Sequence, residues 1–177
     1  MQQAILFVGF QNWGKSTLFR ELFGNPAVPI VNFTQRIYNI QGIAGIDFWI
    51  KHNSNDDPSP GKGQRHQWLL DLSKHCQKAP NHCHFVSALC PSMEPRNNFI
   101  TLLQDRFFRQ FKKIDLIFIQ YKWEGHAELL VSEIVKTIKG SPLQLSTHII
   151  TAHDFGNPRN DLLLKVSAAK TLIQDIV

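Results

Sequence analysis

Residues 9–17 read Gly9-Phe10-Gln11-Asn12-Trp13-Gly14-Lys15-Ser16-Thr17, which matches the spacing GxxxxGK[ST]. This is a pattern for holding phosphate. Gly9 and Gly14 let the backbone curl until successive N–H groups point inward at phosphate oxygens. A helix that starts at Lys15 adds its positive N-terminus. The Lys15 ammonium can reach the β- and γ-phosphates of a nucleoside triphosphate, and the Ser16 hydroxyl can bind Mg²⁺. Gln11, Asn12, Trp13 and Thr17 make up the rest of the nucleotide-facing loop. Lys15, at a helix start, is expected to be solvent-accessible. Trp13 is large for such a loop; it either lies over the nucleotide or under a neighbouring loop, or it fills space.

A second set of residues suggests metal chemistry: His75, Cys76, His82, Cys83, His84 and Cys90. Their spacing is neither a CxxC pair nor an HxxxH helix face. Cys83, Phe85 and Cys90 also fall in an apolar run, where free cysteine packs as a small hydrophobe. Zinc is therefore the lesser reading. The 19 Lys+Arg against 14 Asp+Glu leave a net charge of +5, and the densest basic point is only Phe111-Lys112-Lys113. This suits a phosphate pocket or a solvated surface, and nucleic-acid binding is not favoured as the main role.

The elements that must position these residues follow from periodicity. Residues 4–9 read as a buried strand and 15–23 as a helix with Leu18, Phe19, Leu22 and Phe23 on one face, stopped by Gly24-Asn25-Pro26. Residues 36–41 and 43–51 predict two strands joined at Gly42. The polar stretch 52–64 is the strongest loop signal in the chain. Then come a helix over 65–78, a strand over 83–90, a helix over 98–113, a strand over 114–121, a helix over 126–139, a strand over 145–152 and a helix over 161–177. Strands alternating with helices predict a three-layer α/β/α sandwich on a mainly parallel sheet. Six strands are expected, the 36–51 hairpin supplying one antiparallel edge.

A length of 177 residues suits one domain, 1–177, with 43% apolar and 19% charged residues. No apolar run approaches the roughly 20 residues of a spanning helix. The start, MQQAILFVGF, lacks the basic region of a secretory signal, and three cysteines make no disulfide framework. A cytoplasmic setting is the expectation.

The segment VGFQNWGKSTLFRELFG resembles the opening of the translation-factor-related, Ras-like GTPases, and the order of elements extends that resemblance along the chain. It implies the P-loop NTPase fold of a small G-domain, with GTP/GDP as ligand and Mg²⁺ as cofactor. It implies that Thr34, 18 residues after Ser16, closes onto Mg²⁺ and the γ-phosphate. Asp56 and Asp57 occupy the place of the DxxG carboxylate for the Mg²⁺ shell, but Gly61 is four residues after Asp57, not three. Lys122 and Glu124, in Tyr121-Lys122-Trp123-Glu124, stand where [NT]KxD reads guanine. Thr151, Ala152 and His153 stand where a backbone N–H meets guanine O6. Asn12 could assist K⁺ or simply brace its loop. Gln64 and His66 are the candidates to orient the attacking water, and Arg36 and Arg65 are unassigned as internal fingers.

The resemblance thus implies a nucleotide-dependent switch with slow intrinsic hydrolysis and a protein partner at the switch loops, 25–35 and 52–66. Two alternatives stay open. One is a non-hydrolysing G-domain kept for interaction. The other is a P-loop nucleotide or nucleoside kinase, with Arg96, Arg106 and Arg109 clamping the transferred phosphate. If guanine is read by Glu124, the chain prefers GTP over ATP, and Glu124→Ala erases the preference, worth roughly 1–3 kcal/mol. Competition titrations with the two nucleotides check this, and equal binding of ATP by the native chain contradicts it.

Overall fold

A computed structural model describes residues 2–24, 32–56, 64–122, 127–138 and 145–177, with residues 64–66 described by their backbone only. The strands are β1 (Gln3–Val8), β2 (Phe48–Lys51), β3 (His84–Leu89), β4 (Lys113–Ile119) and β5 (Leu145–Ile150). The helices are α1 (Lys15–Phe23), α2 (Gln64–Cys76), α3 (Phe99–Leu103), α4 (Val131–Ile138) and α5 (Pro158–Ile176). The sheet order is β2-β3-β1-β4-β5, and every pairing is parallel. The three central strands, β3, β1 and β4, are buried on both faces and read as near-continuous apolar runs.

Right-handed crossovers place α1 on one face and α2, α3 and α4 on the other. α5 packs with α1. Of the three central strands, only β1 sends its helix to the first face, so a crevice opens at its carboxyl end. At the other end, Asp115 of β4 is fully buried and is held by Gln3 of β1, His148 of β5 at 2.8 Å and Lys113 at 2.9 Å. No described helix is long and apolar enough to cross a membrane.

The sheet corrects the expected architecture. Among the described residues it has five strands, not six, and no antiparallel edge strand. The predicted hairpin reduces to one antiparallel bridge, Tyr38 to Phe48. Gly42, at φ 91°, makes the turn expected of it, but Gly45, at φ 75°, puts a second turn into what would have been the hairpin's second strand. The Asn39 side chain then donates to Ile46 O at 2.9 Å and Asp47 Oδ1 at 2.7 Å, a side-chain alternative to a ladder. Ile40 and Ile43 turn into the core.

The predicted 98–113 helix also breaks. Asp105 accepts from Phe107 N at 2.9 Å, and only a 3₁₀ turn, Phe108–Gln110, follows. The phenylalanines that mimic a helical stripe instead gather as a cluster: Phe107 lies edge-on to Phe108 at 5.0 Å, and Phe85 stacks on Phe111 at 5.7 Å. α5 starts three residues earlier than expected, with Asn157 accepting from Arg159 N and Asn160 N and with Pro158 in the first turn.

His75 ends α2 buried against the Trp49 ring, 5.4 Å between centroids. Burial, and next the Lys51 charge, push its pKa from 6.5 to about 4. An imidazole that folds neutral contributes stability above its unfolded pKa, and that contribution is lost as pH falls from about 6.5 towards about 4. His75→Phe keeps a ring on Trp49 and should flatten the fall of the urea midpoint across that window. An equally steep fall in the variant would assign the acid sensitivity to other groups.

Candidate functional site

The chain leaves β1 through two unusual backbone positions. Asn12 has φ 60° and Gly14 has φ 81°. The left-handed region suits glycine, and asparagine tolerates it better than most residues. Leu18 N then reaches Gly14 O at 2.9 Å, and α1 begins. Gly9 is required for a different reason: a Cβ there would meet the Trp13 ring at 3.0 Å. Trp13 is buried, and its Nε1 donates to Ile119 O at 2.8 Å, tying the loop to the end of β4. Of the alternatives for Trp13, it fills space beneath the loop while still lining the cavity described next.

Lys15 is buried, not solvent-accessible as expected. Its ammonium donates to Gly9 O at 2.6 Å and Phe10 O at 2.7 Å, so the loop wraps its own cation. Beside it lies a cavity of about 450 Å³, lined by Gln11, Asn12, Trp13, Gly14, Lys15, Ser16 and Thr17 from the loop, with His52, Ser54, Asp56 and Lys122. A second cavity of about 300 Å³ adjoins it, sharing Trp13, Gly14 and Thr17 and running between α1 and α5 to Asp161, Leu162 and Lys165.

The segment after β2 reaches this cavity by a specific anchorage. Asn55 is buried, and its amide makes a two-way clasp on Cys90, just past β3. Its Nδ2 donates to Cys90 O at 3.1 Å, and its Oδ1 accepts from Cys90 N at 2.6 Å. The Nδ2 also meets Asn97 Oδ1 at 3.0 Å. Asn53 O accepts from Trp68 Nε1 at 3.1 Å. Residues 53 and 55 therefore hold the segment to the protein, while His52, Ser54 and Asp56 line the cavity.

Asp56 is the telling member. Both its carboxylate oxygens are buried, and neither has a hydrogen-bonding nitrogen or oxygen partner. The Cys90 thiol beside it is a weak donor, its pKa pushed up to about 12 by burial first and then by the charge of Asp56. A buried anion without a strong donor is expensive unless a cation meets it. Ser16 and Asp56 in one lining fit Mg²⁺, a hard cation that takes few protein oxygens alongside phosphate and water. Among the described residues, no group of three His, Cys, Asp or Glu gathers as a self-sufficient metal cage.

The remaining expected residues fall in different places. Lys122 lines the cavity on the β4 side. Thr34 does not line it; its N–H donates to Tyr38 Oη at 2.7 Å, and the two hydroxyls lie 3.1 Å apart. Thr151 and Ala152 follow β5 outside both linings. His153 Nδ1 meets Asp161 Oδ1 at 2.5 Å, and Asp161 Oδ2 accepts from Lys165 Nζ at 2.7 Å. Burial lowers the Lys165 pKa, and Asp161 opposes that shift. Tyr121 stacks on His153 at 5.2 Å. Gln64 and His66 lie in the first turn of α2, their side chains outside the described residues, as are Asp57 and Glu124. His52 and Ser54 were missed. The signal was their period-two spacing with Asp56, hidden inside a stretch that reads as loop.

Comparison with family models, with curated proteins and with solved structures finds no match for this chain. The site must therefore be read from its own chemistry. Asn55→Ala removes the clasp and orphans both backbone groups of Cys90, each costing about 1–3 kcal/mol. Urea denaturation should show a loss of that order. A change below about 0.5 kcal/mol would mean that the clasp does not hold the segment.

Proposed function

We propose that this chain binds a nucleoside triphosphate with Mg²⁺ and hydrolyses it slowly, GTP being the nucleotide that the sequence resemblance implies. One observation carries the reading. Lys15, Ser16 and the unpartnered carboxylate of Asp56 line a single cavity at the end of β1. Backbone N–H groups of the loop and the start of α1 supply the complement to phosphate charge. Ser16 and Asp56 would hold Mg²⁺, which when bound neutralises charge between the β- and γ-phosphates. Lys15 would exchange its loop carbonyls for phosphate oxygens.

Lys122 in the same lining supports a purine on the β4 side, and the adjoining apolar cavity offers a wall for the ring. Asn12 lines the phosphate cavity in its positive-φ conformation, which suits a loop brace as well as a K⁺ ligand. Regulation by a protein partner at the switch loops and a cytoplasmic setting belong to the same reading. Residues 25–31 and 57–63 of those loops lie outside the described residues. The intact trio of Lys15, Ser16 and Asp56 weighs against a module that has given up nucleotide.

A second reading, transfer of the phosphoryl group to an acceptor hydroxyl, is favoured by one observation. The strand that leads to Asp56 is parallel, and β3 separates it from β1. The G-domain hairpin that the resemblance requires is absent among the described residues. Of the proposed arginine clamp, Arg96 precedes Asn97 at the cavity end of the sheet. Arg106 and Arg109 precede β4 at the far end, where Lys112 N meets Gln2 O at 3.2 Å. Those two cannot reach the phosphates.

Calorimetric titration with GTP, GDP, ATP and ADP, with and without Mg²⁺, tests the proposal. Native protein should bind triphosphate more tightly when Mg²⁺ is present. Asp56→Asn should abolish that Mg²⁺ enhancement. Lys15→Ala should weaken triphosphate about 10–100-fold, as expected for losing a hydrogen bond to charge. Nucleotide affinity unchanged in a folded Lys15→Ala variant would overturn the reading.

A further inference from the structure

We propose that His52 is the group that positions the attacking water and accepts its proton when the terminal phosphoryl is transferred. This rests on the reading of the cavity as a hydrolytic Mg²⁺-triphosphate site. The sequence had pointed elsewhere, to Gln64 and His66.

The argument starts from direction. Lys122 follows β4, and the anchored segment 52–56 follows β2. The order β2-β3-β1-β4 puts them on opposite flanks of the phosphate loop. A triphosphate that runs from Lys122 past Lys15 and Ser16 to Asp56 ends on the flank of that segment. His52 and Ser54 share this flank.

Chemistry then separates the candidates. The nucleophile needs a nearby acceptor for its proton, and a neutral imidazole is matched to that task near neutral pH. Ser54 is a hydroxyl, buried and directed at Asn55 Oδ1 at 3.3 Å. Lys15 and Lys122 are cations. Gln11 and Asn12 can orient water but are not bases. Asp56 is committed to the metal side. In this lining His52 alone combines basicity with the right flank.

Its position is also supported. The segment is fixed on either side of Ser54 by the Asn53 and Asn55 anchors, and the Lys51 carbonyl accepts from Ser87 Oγ at 2.7 Å. The imidazole packs against Phe33, with centroids 5.6 Å apart. Phe33 in turn meets Phe19, Phe23 and Tyr38 edge-on. A ring packed on such a shell has less freedom left to lose when it orders against a ligand.

The step balances with water as the co-reactant. The water oxygen forms a bond to the γ-phosphorus. The bond from that phosphorus to the bridging oxygen breaks, its electron pair staying on the nucleoside diphosphate. His52 takes the proton of the water and passes it to solvent.

The test is single-turnover hydrolysis of γ-labelled GTP with Mg²⁺, run beside calorimetric GTP affinity, for native protein, His52→Ala and His52→Gln. Both variants should keep affinity within about threefold while turnover falls about 100-fold or more, in the range of a lost general base. Free imidazole should restore part of the rate to His52→Ala and none to His52→Gln, whose longer side chain fills the place. Turnover unchanged in a variant that still binds GTP overturns the role of His52 alone. Parallel loss of affinity and rate without imidazole rescue also overturns it, making His52 a wall of the cavity. Native protein that binds GTP but never hydrolyses it overturns the proposal. Native protein that binds no nucleotide fails the reading of the site itself, a separate outcome in the same titration.

Discussion

Six consecutive buried residues, Gln3 to Val8, impose the constraint from which the rest follows. That strand sits at the centre of the sheet, where β1 pairs with β3 on one side and β4 on the other. Its backbone leaves the sheet where both neighbours also end. The turn it makes there is tied to each of them: Gly9 N donates to Leu89 O of β3 at 3.1 Å, and Trp13 Nε1 to Ile119 O of β4. The loop over residues 9–14 is thus suspended from three strand ends, with the Lys15 ammonium satisfying the carbonyls that the turn leaves over. Preorganised N–H groups need such a frame, because an unsupported loop would spend binding energy on its own ordering.

The same economy explains the flank that carries Asp56. β2 lies at the sheet edge, too far to pair with β1, so its carboxyl end must be carried back towards the centre. Asn55 does this with a side-chain amide that copies a strand neighbour, meeting both the N–H and the C=O of Cys90. Burying that amide is tolerable because its donor and acceptor both find partners. The result is a polar segment that behaves as built structure and holds a carboxylate where burial would otherwise forbid one.

What could be read from the sequence was what local pattern encodes. The glycine spacing of the loop after β1, the helix that follows it, the apolar runs of β1, β3 and β4 and the mixed strand β5 were all legible, since each depends on neighbours in the chain. The order of strands was not, because pairing of β2 with β3 is a non-local choice that leaves no mark in either segment. The 98–113 stripe misled because clustered phenylalanines satisfy a helical period and a globular cluster equally well. Burial of Lys15 was not legible because a helix start suggests exposure, whereas two loop carbonyls at hydrogen-bonding distance let the ammonium be buried. His52, Ser54 and Asp56 were partly hidden because the loop signal rests on composition, and composition does not see a side-chain clasp.

The distribution of anchorage also says where this site could respond to its ligand. A switch needs an element with two arrangements close in free energy. The segment 52–56 is a poor candidate, held by the buried bonds of Asn55 to Cys90 and Asn97 and by the bond of Asn53 O to Trp68 of α2. Residues 34–37 are different: all four are exposed, and the Tyr38 hydroxyl receives the Thr34 N–H. Weakly buried segments of this kind open at the lowest free energy. They are joined to the site through Phe33, which touches α1 at Phe19 and Phe23 and touches His52 on the other side. A displacement of the His52 ring would be felt first at Phe33 and then at its neighbour Thr34. A firmly anchored cavity wall and a loosely held segment behind it can therefore coexist, because the two are anchored by different means.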